Sequence, residues 1–238
     1  MSARGLAWLF ALALPPMLGL SLPLRLALGL SDLEQAGLGA SAASGSLWQG
    51  RLHDARLHGR ALGDVGVRLS PWPLLTGTRE LVVRGATLRA SLLQGARRGI
   101  RDANGTLVLE DPGLAPGLAV VLDADAARLV FAGDACRSAS GRIGLALHPA
   151  AGGDPLAVFE GTVACDGRAA TVAWTPSGTA PGPFAGLRID ARLEPDGAWR
   201  LRSVVPRVDD ARDAAALELA GFRAGPAGWS RTDSGSFP

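Results

Sequence analysis

The chain has 238 residues, room for one or two domains with a real hydrophobic core. Its formal net charge is +2, and its 24 basic residues are all arginine, with Lys and Tyr absent. No dense basic run of the kind a nucleic-acid groove needs occurs anywhere, although the sequence pI is about 9.0. The arginine bias, with 32 Gly and abundant Ala, has the look of a GC-rich bacterial genome and is not a sign of phosphate recognition.

Hydrophobic residues make up 47% of the chain, and much of that excess lies in the first thirty residues. From Gly5 to Leu24 there is no charge. A helix of about 20 such residues spans the ~30 Å hydrocarbon core of a bilayer. Arg4 and the terminal amine precede the run, which orients the N-terminus to the cytoplasm. Pro15-Pro16 kinks or breaks such a helix. A cleaved secretory signal is the alternative, but no small-residue cleavage site follows Leu24 directly. Either reading exports the remainder of the chain. Residues 1–30 thus read as a transmembrane anchor and residues 31–45 as a short helix, capped by Ser31-Asp-Leu-Glu34, with a connector. Residues 46–238 read as one β-rich periplasmic domain.

In that domain two-residue alternation replaces the helical period, bounded by Gly and Pro. Val65, Val67 and Leu69 alternate with Gly66, Arg68 and Ser70. Leu187–Leu193, the turn Pro195-Asp196-Gly197 and Trp199–Ser203 predict a hairpin. Thr162–Cys165 and Arg168–Val172 predict another around Asp166-Gly167, a pair that favours a type I′ turn. Weaker strand patterns cover residues 81–91, 105–109, 127–132 and 141–147. One helix is expected over Asp210–Ala220, capped by Asp209 or Asp210 and ended by Gly221. A helical turn is expected around Leu114–Leu118, and the last dozen residues, rich in Gly, Pro and Ser, are expected to fray. The fold class is therefore mainly β: an antiparallel, curved sheet with one or two short helices behind a single transmembrane helix.

Cys136 and Cys165 are the only cysteines. An even count in an exported domain favours a disulfide over two buried thiols or a metal pair, whose close-spaced ligands are missing. Of the three histidines, His53 and His58 face opposite sides of one regular strand, and His148 precedes a proline in a loop. All three read as ordinary exposed residues. Asp123 and Asp125 read as the solvent face of a strand, Asp209-Asp210 as a cap, and Asn104-Gly-Thr106 as a turn more than a glycosylation sequon. No nucleophile elbow, phosphate loop or H-E-x-x-H pair is present. Neither a catalytic centre, a cofactor nor a metal is expected, and an exported hydrolase stays a distant alternative.

Gly45-Ser-Leu-Trp48-Gln-Gly50-Arg51, then Leu62-Gly63, then Val67-Arg-Leu-Ser-Pro71-Trp72-Pro-Leu-Leu75-Thr-Gly77 resembles the opening of type II secretion system protein N. Cys136, the Cys165-Asp-Gly hairpin, the Pro195-Asp-Gly hairpin before Val-Pro-Arg207, the Asp-rich helix and a closing Gly/Trp segment follow in that family's order. The Pro-Pro of the anchor and the polar tail Ser230–Pro238 depart from the pattern. The resemblance implies a non-enzymatic, bitopic inner-membrane component of the Gram-negative type II secretion machinery, whose periplasmic β domain supports assembly or contacts other components. In such a domain Trp48 and Trp72 are expected to anchor the sheet's core, while Gly50 and Gly77 permit bulges or turns beside Pro71. The competing reading is a lipid-binding or lipid-transfer module, in which apolar positions such as Leu187, Ile189 and Leu193 line an open groove. Partners are then other secretion components and the membrane, with lipid as the alternative ligand and no nucleic acid.

Overall fold

The computed structural model describes residue 23 and residues 38–57, 60–110, 118–178, 186–208 and 210–236. The expected anchor and the Ser31 capping box lie outside the described residues, apart from Pro23. Among the described residues no helix is long and apolar enough to cross a membrane. The chain forms two compact units, Met1–Ala86 and Thr87–Pro238. In both, paired strands run antiparallel, as expected.

The first unit contains β1 (Leu38–Gly39), β2 (Ala42–Ser46), β3 (Gln49–Leu57), β4 (Arg60–Ser70), the single-turn helix α1 (Pro71–Leu74) and β5 (Thr78–Arg84). Residues 38–45, a connector by sequence, are thus largely strand. β1 and β2 both pair with β3, and β3, β4 and β5 follow side by side. The outer strand is interrupted where β3 bulges, at Asp54, which has φ +48°. The alternation read in β4 holds: Val65 and Val67 are buried and Arg68 is exposed. They form a small core with Leu52 and Ala55 of β3, against which Ala43, Leu47, Leu62, Leu81 and Val83 pack. Each fully buried Val or Leu contributes about 1.5–3 kcal/mol.

The second unit contains β6 (Leu88–Gly95), β7 (Arg97–Glu110), β8 (Leu118–Ala132), β9 (Ala135–Pro149), β10 (Ala157–Asp166), β11 (Ala169–Pro176), β12 (Arg188–Leu193), β13 (Ala198–Val205), the helix α2 (Ala211–Leu219), β14 (Arg223–Gly225) and β15 (Gly228–Ser236). Neighbours follow chain order from β6 to β13; then β15 pairs with β13 and β14 lies outside β15. The strand expected over 81–91 is two, because the chain breaks after Arg84 and resumes at Leu88. Conversely, the short strands expected at 105–109, 127–132 and 141–147 are halves of β7, β8 and β9. Bulges between Ile100 and Gly105 in β7, and between Asp125 and Arg128 in β8, break the alternation. Asp102 and Ala126 sit there at φ +54° and +49°. Asn104 is no turn: its amide donates to the Asp102 carbonyl (3.0 Å) and accepts from the Ala126 N–H (2.9 Å), stitching the two bulges. Only alanines, Ala90, Ala103 and Ala127, form the buried cluster beside this seam. Leu118 opens a strand, contrary to the helical turn expected there; residues 114–117 lie outside the described residues.

The main core of this unit gathers Val120, Leu145, Leu147, Phe159, Trp174, Leu187, Ile189 and Val205 under Leu217 of α2. Trp174 lies across Gly161, where a Cβ would come within 2.7 Å of its ring, and its indole N–H donates to the Ile143 carbonyl (2.8 Å). Asp210 caps α2 by accepting from the Arg212 N–H (2.9 Å). The helix ends as expected at Gly221: the Gly221 N–H donates to Glu218 O and the Phe222 N–H to Leu217 O, a Schellman pair whose two apolar members both join the core. Of the last dozen residues, Gly228–Ser236 are not frayed but form β15. β15 pairs with β13 from Trp229 to Ser236, and Arg231 holds Asp233 while donating to the Ala220 carbonyl at the C-terminus of α2 (2.8 Å).

Candidate functional site

One end of the first unit carries the residues of the G-S-L-W and P-W motifs. β2 and β3 are joined by the two-residue turn Leu47-Trp48, with Ser46 opposite Gln49. Gly45 has φ +84°, and a Cβ on it would lie 2.5 Å from the Gln49 carbonyl oxygen. Glycine is therefore required at 45, where the backbones meet. Gly50, expected to permit a bulge or turn, is a regular strand residue opposite Gly45 and Val67; the bulge belongs to Asp54. Of the pair, Gly45 is the one whose backbone requires glycine. The position two residues before the tight turn was the available signal.

At the end of β4 the extended Ser70 leads into Pro71 at the start of α1. The Leu75, Thr76 and Gly77 N–H groups donate to the Trp72, Pro73 and Leu74 carbonyls, and the Thr76 hydroxyl donates to Pro73 O (2.8 Å). Gly77 has φ +71° and turns the chain into β5, as expected. Trp72 is not a core anchor: it is 78% exposed, because Pro71 turns the chain out of the sheet before it. Leu74 and Leu75 are 37% and 81% exposed. Trp48 is half-buried.

In the second unit Cys136 and Cys165 form a disulfide, with 5.7 Å between their Cα atoms. The ladder between β9 and β10 stops at Arg142 and Thr162, so the bond joins the two strands beyond the point where they part. The Cys136 N–H donates to Arg168 O and the Arg168 Nε to Asp134 O, reinforcing that link. The β10–β11 turn differs from expectation by one residue. Asp166 pairs with Ala169, and the turn is Gly167-Arg168 with positive φ at Gly167 alone (+60°), which is not type I′. Pro195-Asp196-Gly197 does form the second hairpin's turn, closed by the Gly197 N–H to Glu194 O. Arg192 donates to Asp166 (2.7 Å) and to Glu194 (2.8 Å). The hydrogen bonds of Glu194 and Asp166 raise the pKa of its guanidinium.

His53 and His148 differ from ordinary exposed residues. His53 is half-buried, with Nε2 3.2 Å from the Ser44 hydroxyl and Nδ1 3.4 Å from Asp64. The order serine–imidazole–carboxylate is that of a hydrolase triad, but Asp64 also accepts from the Asp54 N–H at the bulge (3.3 Å). Ser41 donates to Asp54 (2.9 Å) beside it. This network clamps β2, β3 and β4 around the bulge. His148 lies at the end of β9 against the Gly153 carbonyl (3.2 Å), and His58 falls outside the described residues. Asp123 accepts from Thr106 and Asp125 pairs with Arg142, each a cross-strand contact and not a paired acid. Among the described residues no group of three His, Cys, Asp or Glu side chains could hold a metal ion.

The described residues thus define an antiparallel β scaffold, stapled by a disulfide, with an apolar tip on one unit and a charged hairpin end on the other. Residues 36–232 match the family model of type II secretion system (T2SS), protein N, and the chain belongs to that family. No curated protein and no solved structure matches it. Membership makes the chain a component of the type II secretion system, a protein-transport machine, and implies contact with its other components and association with the cell envelope.

Proposed function

We propose that this chain is a single-pass inner-membrane subunit of the secretion machinery whose β units face the periplasm and act without catalysis, by supporting assembly through protein contacts. The disulfide between Cys136 and Cys165 carries this reading, since such bonds form and persist in oxidising compartments. The uncharged run from Gly5 to Leu24 supports retention as an anchor, with Arg4 on the cytoplasmic side. Among the described residues two strand edges support contact by strand addition: β2 short of Ser46, which is bridged to Pro23, and β14, outermost beside β15. The lipid-transfer alternative draws on Leu187, Ile189 and Leu193; the first two are buried in one core with Leu217, which favours the protein-contact reading, while Leu193 is half-buried.

Fractionation, a topology reporter and a secretion assay test this together. The full chain is expected to stay in the inner membrane after alkaline extraction, with a C-terminal reporter active only in the periplasm. Loss of the gene is expected to reduce secretion, and photo-crosslinkers in β2 or β14 to capture other secretion components. A cytoplasmic reporter would refute the topology. Phospholipid co-purifying stoichiometrically with a chain that crosslinks to no secretion component would favour the lipid reading.

A further inference from the structure

We infer that the end of the first unit bearing Trp48, Trp72, Leu74 and Leu75 rests in the headgroup region of the bilayer leaflet from which the chain emerges. The inference rests on the proposed anchor for its direction, but its geometry is independent of it. Pro23, one residue before the uncharged run ends, forms an antiparallel bridge with Ser46. Ser46 immediately precedes the Leu47-Trp48 turn, and the Leu69 N–H donates to the Leu47 carbonyl (3.2 Å). Leu69 in turn stands two residues before Pro71. The end of the apolar run, the Trp48 turn and the exposed α1 tip are thus joined at one end of the unit.

The composition of that tip fits a lipid interface. Trp72 at 78% and Leu75 at 81% exposure, with Leu74 between them, are costly to leave in water and natural at a headgroup boundary, where tryptophan concentrates. Five of the seven positions from Pro71 to Gly77 present no open backbone N–H to a less polar medium. Pro71 and Pro73 have no N–H, and those of Leu75, Thr76 and Gly77 are already bonded within the turn. Arg68 and Arg79, on the strands entering and leaving α1, are exposed and complement anionic headgroups, whereas the neighbouring Glu80 is buried. The partner is therefore a bilayer surface, met by an aromatic-aliphatic tip with a basic collar.

The test uses the full chain reconstituted in phosphatidylethanolamine–phosphatidylglycerol vesicles, with and without bromine on the upper acyl carbons. The difference in emission between the wild type and W72F isolates Trp72. Most of that difference signal is expected to be blue-shifted and lost in brominated vesicles, and a chain carrying R68Q and R79Q is expected to lose less of it. Alkaline extraction of the same vesicles reports the anchor separately. An extracted chain whose Trp72 is still quenched would overturn the anchor and keep the tip at the surface. Trp72 emission that is red and unquenched, in a chain that resists extraction, would overturn the inference while leaving the anchor standing. Trp72 that is blue-shifted but unquenched would overturn it as well, and would assign the tip to a groove on a protein.

Discussion

The two units bury apolar surface in different ways. In the first, the buried cluster is Leu52, Ala55, Val65 and Val67 from two adjacent strands, and among the described residues no helix lies across it and the single helical turn, α1, points its large side chains into solvent. In the second, residues from β8 to β13 bury a cluster centred on Phe159, a capped helix adds Leu217 to it, and a disulfide joins strands where the ladder fails. A larger core with a covalent staple meets the ordering entropy of its chain largely with its own contacts. A two-strand core with an exposed aromatic tip depends more on tight backbone geometry and on whatever covers the tip.

Removing the centre of the larger core should have the largest effect. Phe159 is fully buried, so Phe159→Ala should destabilise the second unit by about 3–5 kcal/mol, through lost transfer energy and the cavity left behind. Urea denaturation of the detergent-solubilised full chain, followed by near-ultraviolet dichroism, measures this. A loss under 1 kcal/mol would mean that α2 collapses onto the gap and that the core is looser than it looks.

The staple comes next. Replacing Cys136 and Cys165 by serine releases a loop with a sequence separation of 29, which in the chain-entropy model should cost about 3–4 kcal/mol. The same denaturation, with reduced wild type as a reference, checks it. If reduction changes nothing, the Cys136 N–H to Arg168 bond already holds the hairpins and the contrast between the units weakens.

How much of this was legible depended on whether a feature repeats with period two. β4, β12 and β13 were readable because Val65/Val67 and Leu187/Ile189 alternate with polar neighbours and a Pro-Asp-Gly turn separates the later pair. β7, β8 and β9 were read as fragments because Asp102 and Ala126 adopt positive φ, which no sequence pattern marks for Asp or Ala. α2 was legible from its cap and its closing Gly. Trp72 was misplaced because a Trp after a strand looks like core until Pro71 is seen to turn the chain outward. β15 was missed because its Gly and Asp residues have low strand propensity, and pairing with β13 overrides it. The Ser44–His53–Asp64 clamp was invisible because residues from three strands meet only through the register.

Backbone geometry should matter most in the first unit. Gly45→Ala meets both a positive φ and the Gln49 carbonyl 2.5 Å away, and should cost about 1–3 kcal/mol. Gly63 has φ +70° but open space around it, so Gly63→Ala isolates the dihedral cost, about 1 kcal/mol. Hydrogen exchange of the β2–β3 amides reads each change locally. Equal effects at both sites would show that the hairpin yields easily, and would remove tight backbone contact as the feature that distinguishes this unit.

The smallest measurable effect belongs to the lid of the second core. Asp210 supplies the cap of α2, and the helix contributes Leu217 to the core while Arg231 holds its other end. Asp210→Ala should cost about 1 kcal/mol, whereas Asp210→Asn, which keeps the accepting oxygen, should cost only a fraction of that. Arg192→Ala is the contrasting control. Its bonds to Asp166 and Glu194 are solvent-exposed, and such surface pairs contribute little. The sign of its pH dependence is set by its raised pKa: the ion pairs' contribution is present while the guanidinium is charged and is lost only as pH rises through that raised value. Between neutral and mildly alkaline pH, melting of the wild type and Arg192→Ala should therefore run parallel. A larger loss from Arg192→Ala than from Asp210→Ala would place the unit's stability at its charged hairpin ends, and the larger core would no longer explain the difference between the two regions.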